Sequence, residues 1–428
     1  MLAHSFSVLV LFVALNSKGF TEDWAQFRGE NSKGVVAGNY LLEWDAGKTV
    51  DWQVDLPGPG SSSPIIVGDR VFVTCYKGYG VDGKNPGELN DLKRTLFCLN
   101  RTTGEAVWER TIDSLHDEDK YSGFITEHGY ASSTPVSDGK RVFVSFDKAG
   151  VFAFDMEGNQ LWNRNVGIQS DPAKWGGGSS PILYKGLVIL NASTTDRSVV
   201  ALDEASGDVV WTRKDEAFKD SWATPIIVSI DGHDELVFPV PGKMHALDPM
   251  TGDELWFAKS PMVDSIYGTV VQRDGVVMTM GGRNQRAIGI RCGGKGDVTN
   301  SHVQWSTRLQ SSIGTPVVID DRLHWSSQGM ALCASCETGE LIYQEKLAGS
   351  ATGHTFDYAS PIVIGDEMLV LFKNGKASII AATEDFRAIR DNDLGEESGR
   401  FNGTPAFADG QLIIRSDKRI YSIKLPVK

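Results

Sequence analysis

Ala246-Leu247-Asp248-Pro249-Met250-Thr251-Gly252-Asp253-Glu254-Leu255-Trp256 is the stretch on which the fold turns. Apolar residues end one strand, Asp248 has the short carboxylate that bonds turn backbone, Gly252 can take a left-handed conformation, and Trp256 begins burying on the next strand. The same spacing recurs from Cys98 to Trp108, from Ala201 to Trp211 and, with Tyr343 replacing Trp, from Cys333 to Tyr343. It is one residue shorter between Ala153 and Trp162. A hairpin that ends in a large aromatic at a fixed interval describes one structural unit used many times.

Working outward, a second phrase precedes each hairpin: a small hydroxyl residue, Pro, then β-branched residues. It stands at Ser63-Pro64, Thr134-Pro135, Ser180-Pro181, Thr224-Pro225, Thr315-Pro316, Ser360-Pro361 and Thr404-Pro405, and Thr269-Val270 fills the place of an eighth without its proline. The period is about 45 residues, which is four strands per blade of a propeller. Only the first interval is longer. Gly68-Asp69 and Asp138-Gly139 supply tight turns within the first hairpins. A pair of stacked sandwiches has no reason to repeat a Trp-terminated hairpin at one period. These features predict an all-β, eight-bladed β-propeller of four-stranded blades. The last copy, starting at Thr404, lacks its Trp strand, and Thr49-Val50-Asp51-Trp52-Gln53-Val54 has that missing character. This N-terminal strand is expected to complete the last blade and close the ring, removing an open edge. Trp108, Trp162, Trp211 and Trp256 are expected to be buried wedges between sheets.

The chain has 428 residues, a formal charge of −13 and no run of Lys and Arg, so nucleic acid is not an expected partner. Its one long apolar run, Phe6 to Leu15, is about half of what a transmembrane helix needs and fits the core of a secretory signal; a buried amino-terminal strand is the alternative. The expected organisation is a signal peptide at 1–20, an N-terminal extension at 21–48 and the propeller at 49–428, giving an exported protein, periplasmic or secreted, with no transmembrane span. Five cysteines cannot all pair within one chain. Cys333 and Cys336 lie across a turn with no second thiolate pair at zinc spacing, so no metal site is expected.

The docking phrase A-x-D-x-x-T-G-x-x-x-W, matched most fully at 246–256, resembles that of the PQQ-like, quinoprotein-type propeller family. The opening phrase Trp24-Ala25-Gln26-Phe27-Arg28-Gly29 and the insert Gly293-Gly294-Lys295-Gly296-Asp297-Val298 resemble an exported bacterial group within it, similar in fold to the BamB lipoprotein of outer-membrane assembly. The resemblance covers about residues 50 to 423 and implies two functions of different class. The first is a non-catalytic binding or scaffolding module for an envelope protein or a glycan. The alternative is a PQQ-dependent oxidoreductase of alcohols or sugars, holding PQQ with calcium. Family dehydrogenases carry two adjacent cysteines over the quinone and a calcium-binding carboxylate set; this sequence has no Cys-Cys, so no catalytic residue is assigned and no cofactor is expected.

Antiparallel strands alternate direction, so the loops between blades emerge on one face, and a local function is expected there. That face collects His116, Tyr121, Tyr267, Arg283, His354 and Asn402 among others. Glu127, His128, Tyr130, Trp175, Trp222 and Tyr358 are the candidate ligand residues, because each sits shortly before an innermost strand and should be carried to the mouth of the central channel. Aromatic faces there can stack on a ring-shaped ligand while Glu127 and His128 offer an acceptor and a titratable donor. The plain alternative is that these are solvated loop residues and aromatics plugging blade junctions. The Ser and Thr before each Pro read as turn and strand-entry residues.

Overall fold

The computed structural model describes residues 23–45, 49–114, 116–310, 313–350, 357–395 and 399–428. The expected signal segment at 1–20 and the candidate His354 lie outside them. Among the described residues, no helix is long and apolar enough to cross a membrane.

Eight antiparallel sheets follow one another around a ring. Blade 1 spans residues 65–113, blade 2 136–164, blade 3 182–214, blade 4 226–259, blade 5 271–308, blade 6 317–346 and blade 7 362–393. Blade 8 takes three strands from 406–424, and its fourth is Val50–Asp55, which pairs antiparallel with Arg419–Lys424 in a register that sets Trp52 opposite Ser422. The closing strand therefore joins the sheet that contains Phe407 and Leu412, as its sequence predicts. The excess length of the first repeat is shared between residues 77–93, between the second and third strands of blade 1, and the long segment that leads from Asp113 into blade 2.

Cohesion between blades comes from the docking phrase. Trp108, Trp162 and Trp211 are each 8% exposed and Trp256 is fully buried. Each of the first three lies over a glycine of the following blade: Trp108 over Gly158, Trp162 over Gly207, Trp211 over Gly252. Trp52 of the closing strand does the same on Gly104, and Trp305 on Gly339. The indole N–H then donates to a carbonyl just before that glycine, Trp211 Nε1 to Pro249 O at 3.1 Å and Trp305 Nε1 to Cys336 O at 2.7 Å. Trp256 departs from the pattern because blade 5 has lost the phrase. Its Nε1 donates instead to Glu235 Oε2 at 2.8 Å, within its own blade. The insert that replaced the phrase contributes a strand, Gly296–Asp297, which pairs parallel with the outer strand Glu254–Lys259 of blade 4.

Two further features shape the channel. The hydroxyl residues before the prolines do more than enter strands: they form a closed ring. Ser63 N–H donates to Thr134 Oγ1, Thr134 N–H to Ser180 Oγ, Ser180 N–H to Thr224 Oγ1, and so on through Thr269, Thr315, Ser360 and Thr404, whose N–H returns to Ser63 Oγ. All eight distances fall between 2.9 and 3.1 Å. The second feature is the N-terminal extension, which crosses the channel. Trp24 bridges to Ile66 of blade 1, Ser137 N–H of blade 2 donates to Ala25 O, and Arg28 Nη2 donates to Pro316 O at 2.5 Å. Val35–Val36 then pairs parallel with Ile362–Ile364 of blade 7. These partners belong to innermost strands, so the segment fills the end of the channel opposite the loops.

Candidate functional site

The loop end of the channel holds a cavity of about 390 Å³. Its wall is built in two tiers. The lower tier is the hydroxyl ring, all eight members of which line the cavity. The upper tier comes from the residue two positions before each ring member: Ser61, Ser132, Gly178, Trp222, Tyr267, Ile313, Tyr358 and Asn402, again all lining. A spacing of two puts both tiers on one side of an extended chain, so the blade repeat delivers eight constant positions and eight variable ones to the same space. Phe27, from the segment that crosses the channel, also lines the cavity.

The variable tier divides into a small side and an aromatic side. Blades 1 to 3 present Ser, Ser and Gly, which leaves room for Trp175 to lean in. Trp175, Trp222 and Tyr267 then form one aromatic wall, with centroids 5.3, 6.1 and 5.9 Å apart and planes inclined by 33° in every pair. Gly178 lets the Trp222 ring lie close, since a Cβ there would stand 3.2 Å from it and the indole would have to shift. Trp222 Nε1 donates to Gly176 O at 2.6 Å, which fixes its ring, and Phe124 packs edge-on against Trp175 at 4.6 Å. Arg283 stacks on Trp175 at the rim, 5.9 Å from the ring centroid. Opposite, Tyr358 Oη and Asn402 Oδ1 are buried with no hydrogen-bond partner among the described residues. Burying such atoms without partners costs about 1–3 kcal/mol each; both residues line the cavity, while these two atoms are turned away from its open space.

Of the six residues singled out from sequence, His128, Trp175, Trp222 and Tyr358 meet around this cavity. Glu127 and Tyr130 do not line it. The segment leading into blade 2 is a short helix, Ile125–His128, rather than extended chain, so neighbouring side chains fan out. Glu127 turns to an ion pair with Lys373, while Tyr130 enters a cluster with Tyr76, Tyr79 and Tyr121 and donates to Asp119 O at 2.8 Å. His128 Nδ1 lies 2.7 Å from Ser132 Oγ, and burial pulls the imidazole down to about 4, which keeps it neutral at neutral pH. Tyr267, Asn402 and Ser132 escaped that selection, although counting two residues back from each ring hydroxyl finds all three.

The lining carries no Asp, Glu or Cys among the described residues. Calcium takes oxygen ligands rich in carboxylate, and no cluster of three metal-ligating side chains occurs among the described residues. The cysteines are buried within the sheets, and burial pushes the thiols of Cys333 and Cys336 up to about 12. The residues of this cavity therefore do not fit the quinone and calcium arrangement that the family dehydrogenases imply.

Fold and cavity together define a PQQ-like eight-bladed propeller whose channel is closed at one end. The chain belongs to the family described as outer membrane protein assembly factor BamB, which matches residues 92–345. Among solved structures it is similar to BamB from Moraxella catarrhalis, with a TM-score of 0.60 at 16% identity over 87% of this chain and 96% of that one. It is also similar to a europium-containing methanol dehydrogenase, with a TM-score of 0.53 at 10% identity over 94% and 98%. At these identities the likeness concerns the fold alone. In sequence it resembles a quinoprotein ethanol dehydrogenase of Pseudomonas aeruginosa, 31% identical over 35% of this chain and 26% of that enzyme. A polyvinylalcohol dehydrogenase of a Pseudomonas species is 23% identical over 54% of this chain and 44% of the enzyme. The chain thus spans less than half the length of these relatives.

Proposed function

We propose that this protein is a non-catalytic, exported propeller that binds a sugar ring of an envelope glycan in the loop end of its channel. The observation that carries the reading is the aromatic wall of Trp175, Trp222 and Tyr267 standing over the ring of eight Ser and Thr residues in one cavity, with Tyr358 and Asn402 on the opposite side. A pyranose has an apolar C–H face that packs on indole and phenol rings and an edge of hydroxyls that donate and accept. The ring of Ser and Thr below suits the same chemistry, because each hydroxyl oxygen already accepts one N–H and keeps its own proton for a further acceptor. The closed end of the channel favours a compact terminal unit over a threaded chain. Against an oxidoreductase reading stands the lining itself, in which His128 is the one conventional general base among the described residues, held neutral but weakly basic by burial. Titration of the protein with a panel of envelope-derived oligosaccharides, followed by tryptophan fluorescence, tests the proposal. Saturable quenching or enhancement that weakens at least tenfold in Trp222→Ala is expected. No response to any glycan, or a response that Trp222→Ala leaves intact, sinks it.

A further inference from the structure

We infer that the sugar bound in this channel carries an anionic group. The inference rests on the sugar-binding reading above and adds the ligand's charge. The molecule as a whole is strongly acidic, with a formal charge of −13, yet the cavity reverses that sign. No Asp or Glu is among its described lining residues, His128 is neutral, and Arg283 stands at the rim as the lining's formal charge.

A second cation lies at the channel's closed end. Arg28 follows Phe27, whose ring lines the cavity, and its guanidinium is fully buried beside Pro316, the residue after ring member Thr315. Nη2 is satisfied by Pro316 O and Lys33 O, but Nε and Nη1 have no hydrogen-bond partner among the described residues. Burial alone pulls this guanidinium down, to about 9, with no carboxylate acting on it. Gly34 makes room for it, since a Cβ there would sit 2.9 Å from Nη2. A buried cation without a counter-charge is costly, and its field is poorly screened in a channel walled by protein. A structural bolt needs only a donor for the Pro316 and Lys33 carbonyls, which a neutral Gln amide supplies without that cost. An anionic ligand beside Arg283 at the rim offsets that charge directly, and Arg28, behind the wall that Phe27 presents to the cavity, favours the same sign through its field. The eight hydroxyls, each with a proton to donate, add to the same preference.

The test compares glucuronic acid, glucose 6-phosphate and glucose, each also as the corresponding disaccharide, by tryptophan fluorescence of the full chain at low and high salt. The anionic sugars are expected to bind at least tenfold tighter than the neutral ones, with the advantage shrinking as salt rises. A larger advantage for the carboxylate or for the phosphate identifies which anion the site takes. Arg283→Gln, at an exposed rim position, is expected to cut the anionic-to-neutral affinity ratio about fivefold. Arg28→Met is expected to cut it further, provided that its thermal midpoint shows a folded protein. Neutral and anionic sugars binding within twofold of each other, or a ratio untouched by Arg283→Gln, overturns this inference and leaves sugar binding standing. Failure of every sugar to bind overturns both.

Discussion

Asp147 shows how a single residue ties the cavity wall to the buried interior. It adopts a left-handed φ of 54° at the end of a blade 2 strand, and its Oδ2 accepts the N–H of Gly177 at 2.9 Å. That bond anchors the Gly176-Gly177-Gly178 segment that follows Trp175. Burial raises this carboxyl to about 7, with the nearby Glu118 pushing the same way and Arg94 and Lys148 pulling back. A carboxyl whose folded value lies above its unfolded value of 3.8 adds stability that is complete below the unfolded value and is lost as pH rises through the folded one. Asp147→Asn keeps an acceptor and tolerates positive φ. The variant is therefore expected to gain on wild type by roughly 1–2 kcal/mol between about pH 5.5 and about pH 8.5. Urea midpoints at the two pH values measure it, and a constant difference between the proteins refutes the buried-carboxyl account. At this scale the sequence showed Asp147 only as one acid among many, because its burial depends on blade 3 and on the loop that holds Glu118.

At the scale of elements, the blade-to-blade joint is an indole lying on a glycine. Trp211 covers Gly252, whose φ is 74° and whose added Cβ would stand 2.5 Å from the ring. Both the turn and the contact demand glycine, so the phrase fixes two elements at once. Trp211→Ala removes the packing and leaves Pro249 O without its donor. It is expected to destabilise the protein by about 3–5 kcal/mol, read as a fall in denaturant midpoint. A loss under about 1 kcal/mol shows that the joint is not held this way. The hairpin and its aromatic were legible because they repeat. The helical turn before blade 2 was not, and for that reason Glu127 and Tyr130 were expected at the channel: the short segment 125–128 carries no periodic signal of its own, and its shape comes from contacts with blades 1 and 7.

For the whole molecule, closure has two devices, the shared sheet of blade 8 and the hydroxyl ring. The ring predicts a specific asymmetry between substitutions. Thr224→Val keeps the shape but leaves the Ser180 N–H without an acceptor in a buried site, at an expected cost of about 1–3 kcal/mol. Thr224→Ser restores the acceptor and is expected to be close to neutral. Equal effects of Val and Ser on the thermal midpoint rule out the ring bond as a contributor.

The sequence by itself determined the number of blades, the four-strand period, the Trp joints and the strand that closes the ring, because each is a local pattern repeated or conspicuously missing once. It also placed Trp175, Trp222 and Tyr358 at the loop end of the channel, where they line the cavity, since strand direction follows from strand order. Only the tertiary structure decided that Ser63, Thr134 and their counterparts bond to one another, that residues 24–36 fill one end of the channel, and that Tyr267, Asn402 and His128 line one cavity at the other. The physical reason is that these relations join residues from different blades around an axis. A periodic sequence fixes what each blade contributes, whereas the geometry of closure fixes which contributions meet.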